Sequence, residues 1–318
     1  MQWKKHGKIF DPADHALINS CITHAQSPQA VMHDGLVRIY FSSRALDDNG
    51  KFLSHVAYAD FEKDLRTIRG INKQTVLPLG ELGAFDEHGV FPISPVRIGN
   101  RIYAYTTGWT RRVSVSVDTG VGLAISDDEG LTFQRQGSGP ILSATLHEPF
   151  LVCDAFVRKF AGQFHMWYVF GTSWRRKSPD TLPDRTYKIG HAVSDDGITW
   201  RKEEARKIVS DQLGENESQA LPTVICIGEC YHMFFGYRES FDFRSIKGRG
   251  YQIGHAWSDD LENWTRDDES PALIGTSGEW DSDMQCYPHV FECDDRVYLL
   301  YNGNNFGRDG FGLAELVI

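Results

Sequence analysis

No run of the chain approaches the ~18 consecutive apolar residues that a membrane-spanning helix needs. The opening stretch, MQWKKHGKIFDPADH, has two lysines but no apolar segment behind them, so no secretory leader is read there and a cytoplasmic location is expected. The six cysteines (Cys21, Cys153, Cys226, Cys230, Cys286 and Cys293) have no Cys-x-x-Cys spacing, and no histidine pair accompanies them at zinc-site intervals. Buried free thiols are therefore expected, with no metal and no cofactor. Positive charge is also scarce. Lys and Arg total 33 against 43 Asp and Glu, for a formal charge of -10, which argues against nucleic acid as a partner. The remaining composition, 41% hydrophobic and 24% charged over 318 residues, is that of a folded chain with a large core, not a disordered one.

What the sequence does contain is repetition. RTYKIGHAVSDDGITW (185–200) returns 64 positions later as RGYQIGHAWSDDLENW (249–264), with ten of sixteen positions identical. Five apolar hairpins with Gly, Asn or Asp turns start the units, at 27–44, 94–109, 154–174, 221–238 and 287–304. Third strands follow at 54–65, 120–133, 188–200, 252–264 and 310–318, where the chain stops without a fourth strand for the last unit. An all-β, five-bladed β-propeller in one domain (1–318) satisfies this count, with blades near 25–84, 85–145, 146–210, 211–275 and 276–318. Residues 2–10 supply the missing edge strand and close the ring. SDDEGLTF and SDDGITW look like the Asp-box turns of sialidases and other propellers. Asp127, Asp128, Asp195, Asp196, Asp259 and Asp260 are accordingly read as turn formers rather than catalysts.

Chemistry is sought in what is not copied. In a propeller the loops before each first strand and after each second strand share one mouth of the central channel, so functional side chains belong there. The first set supplies acids: Asp86 and Glu87, Glu148 and Asp154, Glu215 and Glu217, Asp281 and Asp283. Glu217 and Asp283 each stand five residues before their blade's proline, which predicts equivalent heights on adjacent blades. The second set is rich in arginine, including Arg44, Arg112 and Arg238, and carries Trp109 and Trp174. A basic, aromatic-studded mouth that binds an anionic group is expected.

Five blades, acids at the mouth and hairpins such as DAFVRKFAGQFHMWYVFG resemble the family 43 and family 32 glycoside hydrolases and their five-bladed relatives. The sequence looks closest to cytoplasmic members of that superfamily associated with bacterial surface-polysaccharide gene clusters. The resemblance implies action on a glycosidic bond of a small sugar, neutral, anionic or phosphorylated. Family 43 enzymes use a blade-one Asp as base, a middle Asp as tuner and a later Glu as acid. On that pattern Asp154 is the tuner and Glu217 the acid, whereas blade one has Ser27-Pro28, preceded by Gln26, where an Asp is expected. Asp283 or Glu87 would then supply the base. Alternatively, phosphate attacks the anomeric carbon, as in the family 130 phosphorylases, or catalysis has lapsed and only sugar binding remains. The expected catalytic set is Asp154, Glu217 and Asp283. Gln26, Arg44, Glu87, His88, Trp109, Arg112, Trp174, Arg238 and His289 are the expected contacts to a small carbohydrate or sugar phosphate. No nucleic-acid or membrane partner is expected.

Overall fold

The computed structural model describes residues 1–267 and 272–317. Twenty strands form five four-stranded antiparallel sheets. The chain opens with β1 (Gln2–Phe10). Blade I holds β2 (Thr23–His33), β3 (Leu36–Leu46), β4 (Phe52–Phe61) and β5 (Ile68–Ile71). Blade II holds β6 (Val90–Ile98), β7 (Arg101–Arg111), β8 (Val117–Ser126) and β9 (Gln134–Arg135). Blade III holds β10 (Val152–Phe160), β11 (Gln163–Arg175), β12 (Asp184–Ser194) and β13 (Arg201–Lys202). Blade IV holds β14 (Glu217–Ile227), β15 (Cys230–Glu239), β16 (Gln252–Ser258) and β17 (Thr265–Arg266). Blade V holds β18 (Cys286–Cys293), β19 (Arg296–Asn302) and β20 (Phe311–Val317), and β1 is its outermost strand. Helix among the described residues is limited to two 3-10 turns, Pro12–Asp14 and Asn304–Gly307. No described helix is long and apolar enough to cross a membrane.

The expected closure is present: β1 runs antiparallel to β20 from Gln2 opposite Val317 to Phe10 opposite Phe311. Residue 318, at the end of the expected partner, lies outside the described residues. The blades pack face to face through aromatic and aliphatic side chains, with Trp167, Tyr168, Phe41 and Phe235 fully buried. All six cysteines are free thiols, but only Cys153, Cys286 and Cys293 are buried; Cys21, Cys226 and Cys230 are half-buried, since the last two flank an exposed hairpin turn.

The copied Ser-Asp turns are structural, as read. Asp196 accepts the amides of Ile198 and Thr199, both at 2.8 Å, and Asp260 those of Glu262 (2.9 Å) and Asn263 (2.8 Å). These bonds favour the charged carboxylate and hold Asp196 down to about 2. The turns also join blades. Tyr40 of blade I donates its hydroxyl to the Gly130 carbonyl of blade II (2.7 Å), and Tyr105 of blade II repeats this on Gly197 of blade III (2.9 Å).

Candidate functional site

Each innermost strand breaks register at one shared height, and β2 breaks a second time, between Thr23 and Gln26. The shared shifts fall between Gln26 and Gln29, Val90 and Ile93, Cys153 and Phe156, Ala220 and Thr223, and Cys286 and His289. Each is a bulge that re-aims a side chain toward the channel. The dipeptides inside them are Ser27-Pro28, Phe91-Pro92, Asp154-Ala155, Leu221-Pro222 and Tyr287-Pro288. Ser27, Asp154, Leu221 and Tyr287 all take left-handed φ angles, between 47° and 58°. Such backbone costs ~1–3 kcal/mol per non-glycine residue and persists only where surrounding structure enforces it. Phe91, Asp154, Leu221 and Tyr287 line a cavity of about 310 Å³ at the mouth; in blade I the preceding residue, Gln26, does so. Among these five equivalent positions, Asp154 alone is an acid and alone lacks the following proline.

Asp154 is also the one carboxylate among the described residues that line the cavity. Its amide donates to the Thr107 hydroxyl at 2.7 Å, which fixes the bulge against blade II. Burial pushes its carboxyl up to about 6, opposed in part by the Leu221 amide and by the Arg185 charge. A carboxyl so placed keeps its proton up to about pH 6, where an ordinary Asp has already lost it, and in that form can deliver it to a leaving oxygen.

The walls are aromatic and cationic. Trp109, Phe91 and Phe52 form one side, with the Arg44 guanidinium 5.6–5.9 Å from their rings and its Nε donating to Gln26 (3.0 Å). Opposite stand Tyr187, Phe243 and Tyr251 with Arg185, Arg238 and Arg244. The Arg238 guanidinium lies 3.5 Å over the Phe243 ring and donates to the Tyr187 hydroxyl at 2.8 Å; that hydroxyl also bonds to Tyr251. His24, at the rim, is held down to about 4 by burial and by the charges of Arg44 and Arg308, so it is neutral at pH 7.

Of the expected catalytic set, the cavity takes only Asp154. Glu217 is fully buried and turned away from the channel. It accepts Arg266 (2.6 Å), the amides of Gln212 (2.7 Å) and Leu213 (2.8 Å), and the Gln219 side chain (2.9 Å). This arrangement is itself copied: Asp86 pairs with Arg135, Glu148 with Lys202 and Asp281 with Lys5. In blades II to V, an acid ahead of the first strand is thus clamped by a cation on the outermost strand. Glu217 belongs to this framework and lies out of a substrate's reach. Asp283 does not converge either. It is 49% exposed on the rim, with Lys247 at 3.1 Å. Equal spacing from a proline misplaces the two because their lead-in segments differ: Glu217 begins β14, whereas Asp283 lies in a turn before β18 and Asp281 is its blade's true counterpart.

Of the expected substrate contacts, Gln26, Arg44, Trp109 and Arg238 line the cavity. Glu87 and His88 do not. Glu87 caps the Gly83 amide (3.1 Å), and His88 packs on Trp109 from behind (5.5 Å between ring centroids). Arg112 points outward and pairs with Asp118. Trp174 backs Arg185 instead of meeting the cavity (5.5 Å from guanidinium to ring). His289 is fully buried one layer below, between the Phe156 and Phe291 rings. The reading by loops missed Tyr187, Tyr251, Tyr287 and Arg185, which sit on strands or strand ends. A visible signal for Tyr287 and Asp154 was the X-Pro dipeptide recurring in four of five units.

The fold and cavity define a five-bladed β-propeller with a mouth cavity walled by all five blades. The solved structure of a thermostable family-43 glycoside hydrolase superposes over 93% of this protein and 91% of its own length, with a TM-score of 0.66 and 15% identity. The β-1,2-mannobiose phosphorylase of Listeria innocua, solved with β-1,2-mannobiose, covers 99% of this protein and 96% of its own length at a TM-score of 0.69 and 12% identity. In sequence, the protein is 31% identical to two Mycobacterium tuberculosis proteins, "Uncharacterized protein MT1551" (strain CDC 1551 / Oshkosh) and "Uncharacterized protein Rv1502" (strain ATCC 25618 / H37Rv), over 320 aligned positions that cover 99% of each partner. It belongs to the family of those two proteins. A β-1,2-mannobiose phosphorylase of Thermoanaerobacter sp. (strain X514) is 31% identical over 140 residues, 41% of this protein and 43% of that one. No family model matches.

Proposed function

We propose that the protein is a carbohydrate-active enzyme that acts on a glycosidic bond in the mouth cavity, with Asp154 as the general acid. The observation that carries the reading is the position of Asp154: the one acid among five equivalent bulge residues, lining the cavity, with its carboxyl at about 6. Aromatic walls at Trp109, Phe91 and Tyr287 suit the apolar faces of a sugar ring. The shared fold and the partial sequence likeness to a mannobiose phosphorylase support the same class of substrate. Six free thiols support a reducing, cytoplasmic setting.

One observation favours transfer to phosphate as a second reading. Direct hydrolysis with inversion requires a second carboxylate ~6.5–9.5 Å from the acid to activate water, and among the described residues none lines the cavity with Asp154. A phosphate oxygen needs no such base. It would attack the anomeric carbon as the glycosidic bond breaks and Asp154 gives its proton to the leaving oxygen, forming a glycosyl phosphate. The test is turnover of a glycoside panel with and without inorganic phosphate, by wild type and Asp154→Asn. The variant should lose about 10²–10⁴ in kcat while still binding sugar, as expected for loss of a general acid. Equal turnover in both proteins defeats the role of Asp154, and binding without turnover in wild type leaves a sugar-binding propeller.

A further inference from the structure

The cations of the mouth fall into two groups. On the rim, Arg111 meets Asp47 (2.7 Å), Lys177 meets Asp242 (2.6 Å), Lys247 meets Asp283 (3.1 Å), Arg249 meets Asp242 (3.2 Å) and Arg112 meets Asp118. These are local pairs and leave little field for a ligand. Inside the cavity the pattern reverses. No carboxylate among the described residues forms an ion pair with Arg185 or Arg238, and Arg244 has only Asp184 at 3.5 Å on its outer side.

Arg238 is the most telling of the three. It is 1% exposed, and the groups that meet its charge are neutral: the Glu239 carbonyl (2.7 Å), the Tyr187 hydroxyl (2.8 Å), the Phe243 ring (3.5 Å) and, farther off, the Tyr187 and Tyr251 rings (5.1 and 5.2 Å). Its Nε is buried without a hydrogen-bond partner. Burying a guanidinium away from any carboxylate costs several kcal/mol, and leaving a donor unused adds to that cost. Arg185 and Arg238 also press their charge on Arg244 strongly enough to lower its pKa, after burial itself. Three guanidiniums lining one cavity, one of them pressed by the charges of the other two, are a subsite prepared for an anion.

We infer that Arg185, Arg238 and Arg244, with the hydroxyls of Tyr187 and Tyr251, form a subsite for an oxyanion borne by the sugar itself, a carboxylate or a phosphate ester. The inference rests on reading the cavity as a sugar site. The anion belongs to the sugar because the cluster is one wall of a single cavity that continues past Asp154 to Trp109 and Arg44. A group held at the cluster places the remainder of the same molecule against the aromatic wall and its glycosidic oxygen beside Asp154.

Calorimetric titration of the full chain with glucuronic acid, glucose 6-phosphate, glucose and inorganic phosphate, at constant ionic strength, tests the inference. Either anionic sugar should bind at least about tenfold more tightly than both glucose and phosphate. The double variant Arg185→Gln/Arg244→Gln, whose side chains reach the open part of the cavity, should lower that affinity to the level of glucose. Arg238→Lys, which retains charge but not the fork, should weaken it by a smaller factor. Phosphate binding as tightly as the anionic sugars would move the oxyanion from substrate to co-substrate and overturn the inference. So would equal binding of glucose, binding of none of the anionic probes, or undiminished affinity in the double variant. The reading of the cavity as an enzyme fails separately: anionic sugars bound by wild type with no Asp154-dependent turnover would retain the subsite and remove the chemistry. Turnover of neutral glycosides alone would do the reverse.

Discussion

Asp154 illustrates how a single residue trades stability for chemistry. Its carboxyl titrates near 6 in the fold against 3.8 for the free side chain, so between those values the folded state holds the proton that the unfolded chain has released. Stability is therefore present in full below pH 4 and declines as pH rises through 6. The ionised, buried carboxylate then costs roughly 3 kcal/mol for the two-unit shift. Asp154→Asn removes that cost. Urea unfolding of wild type and variant should coincide near pH 4 and separate by about that amount at pH 7.5, with the variant the more stable. A destabilised Asn variant at pH 7.5 would show that the carboxylate is a structural partner, not a group kept in reserve for a substrate. This residue was legible in the sequence as a candidate, since Asp154 stands in CDAFV where the other units place X-Pro. The arginines were legible only as a crowd. Which of them face solvent depends on aspartates far away in sequence, as with Lys177 and Asp242, and no spacing rule predicts that pairing.

The unit of organisation is the blade, and the copies carry more than strands. Asp86–Arg135, Glu148–Lys202, Glu217–Arg266 and Asp281–Lys5 tie each lead-in loop to its own outer strand. In sequence these acids look like rim catalysts because the partner cation lies 49 to 54 residues later in the first three cases and near the other terminus in the last. Strand pairing, which the alternating apolar pattern does reveal, brings the two ends of a blade together; the ion pair is a consequence invisible to local reading. The distinction is measurable. Glu217→Gln removes a fully buried carboxylate from its ion pair with Arg266 and from its bonds to the Gln212 and Leu213 amides, which costs about 3–5 kcal/mol when one partner of such a pair is removed. The melting temperature should drop clearly. In the fraction that remains folded, kcat on any substrate should stay within about twofold of wild type, whereas loss of a general acid would cost about 10²–10⁴. A normal melting temperature combined with abolished turnover would return Glu217 to the active site.

At the scale of the whole molecule, the ring must be closed for the cavity to exist, because all five blades contribute to its wall. The closing strand is β1, and its expected pairing was readable from a missing fourth strand at one end and an unused strand at the other. Three independent interactions depend on it. It covers the edge of β20, it brings Lys5 to the buried Asp281 at 2.5 Å, and it sets Trp3 against Phe234 of blade IV at 5.3 Å. Phe10, 2% exposed, stacks on Phe311 and also touches Phe41 of blade I, so the strand bridges blade V to both neighbours. Losing the Lys5–Asp281 pair alone costs about 3–5 kcal/mol, and exposing Phe10 and Trp3 adds about 1.5–3 kcal/mol for each large side chain. The sum, roughly 6–11 kcal/mol, is comparable to the whole stability of a typical domain, about 5–15 kcal/mol. Deletion of residues 1–10 should accordingly abolish a cooperative melting transition near the wild-type temperature, and an added peptide of residues 1–12 should restore it by pairing with β20 in trans. A truncated protein that melts like the full one would show that the ring does not depend on its velcro strand.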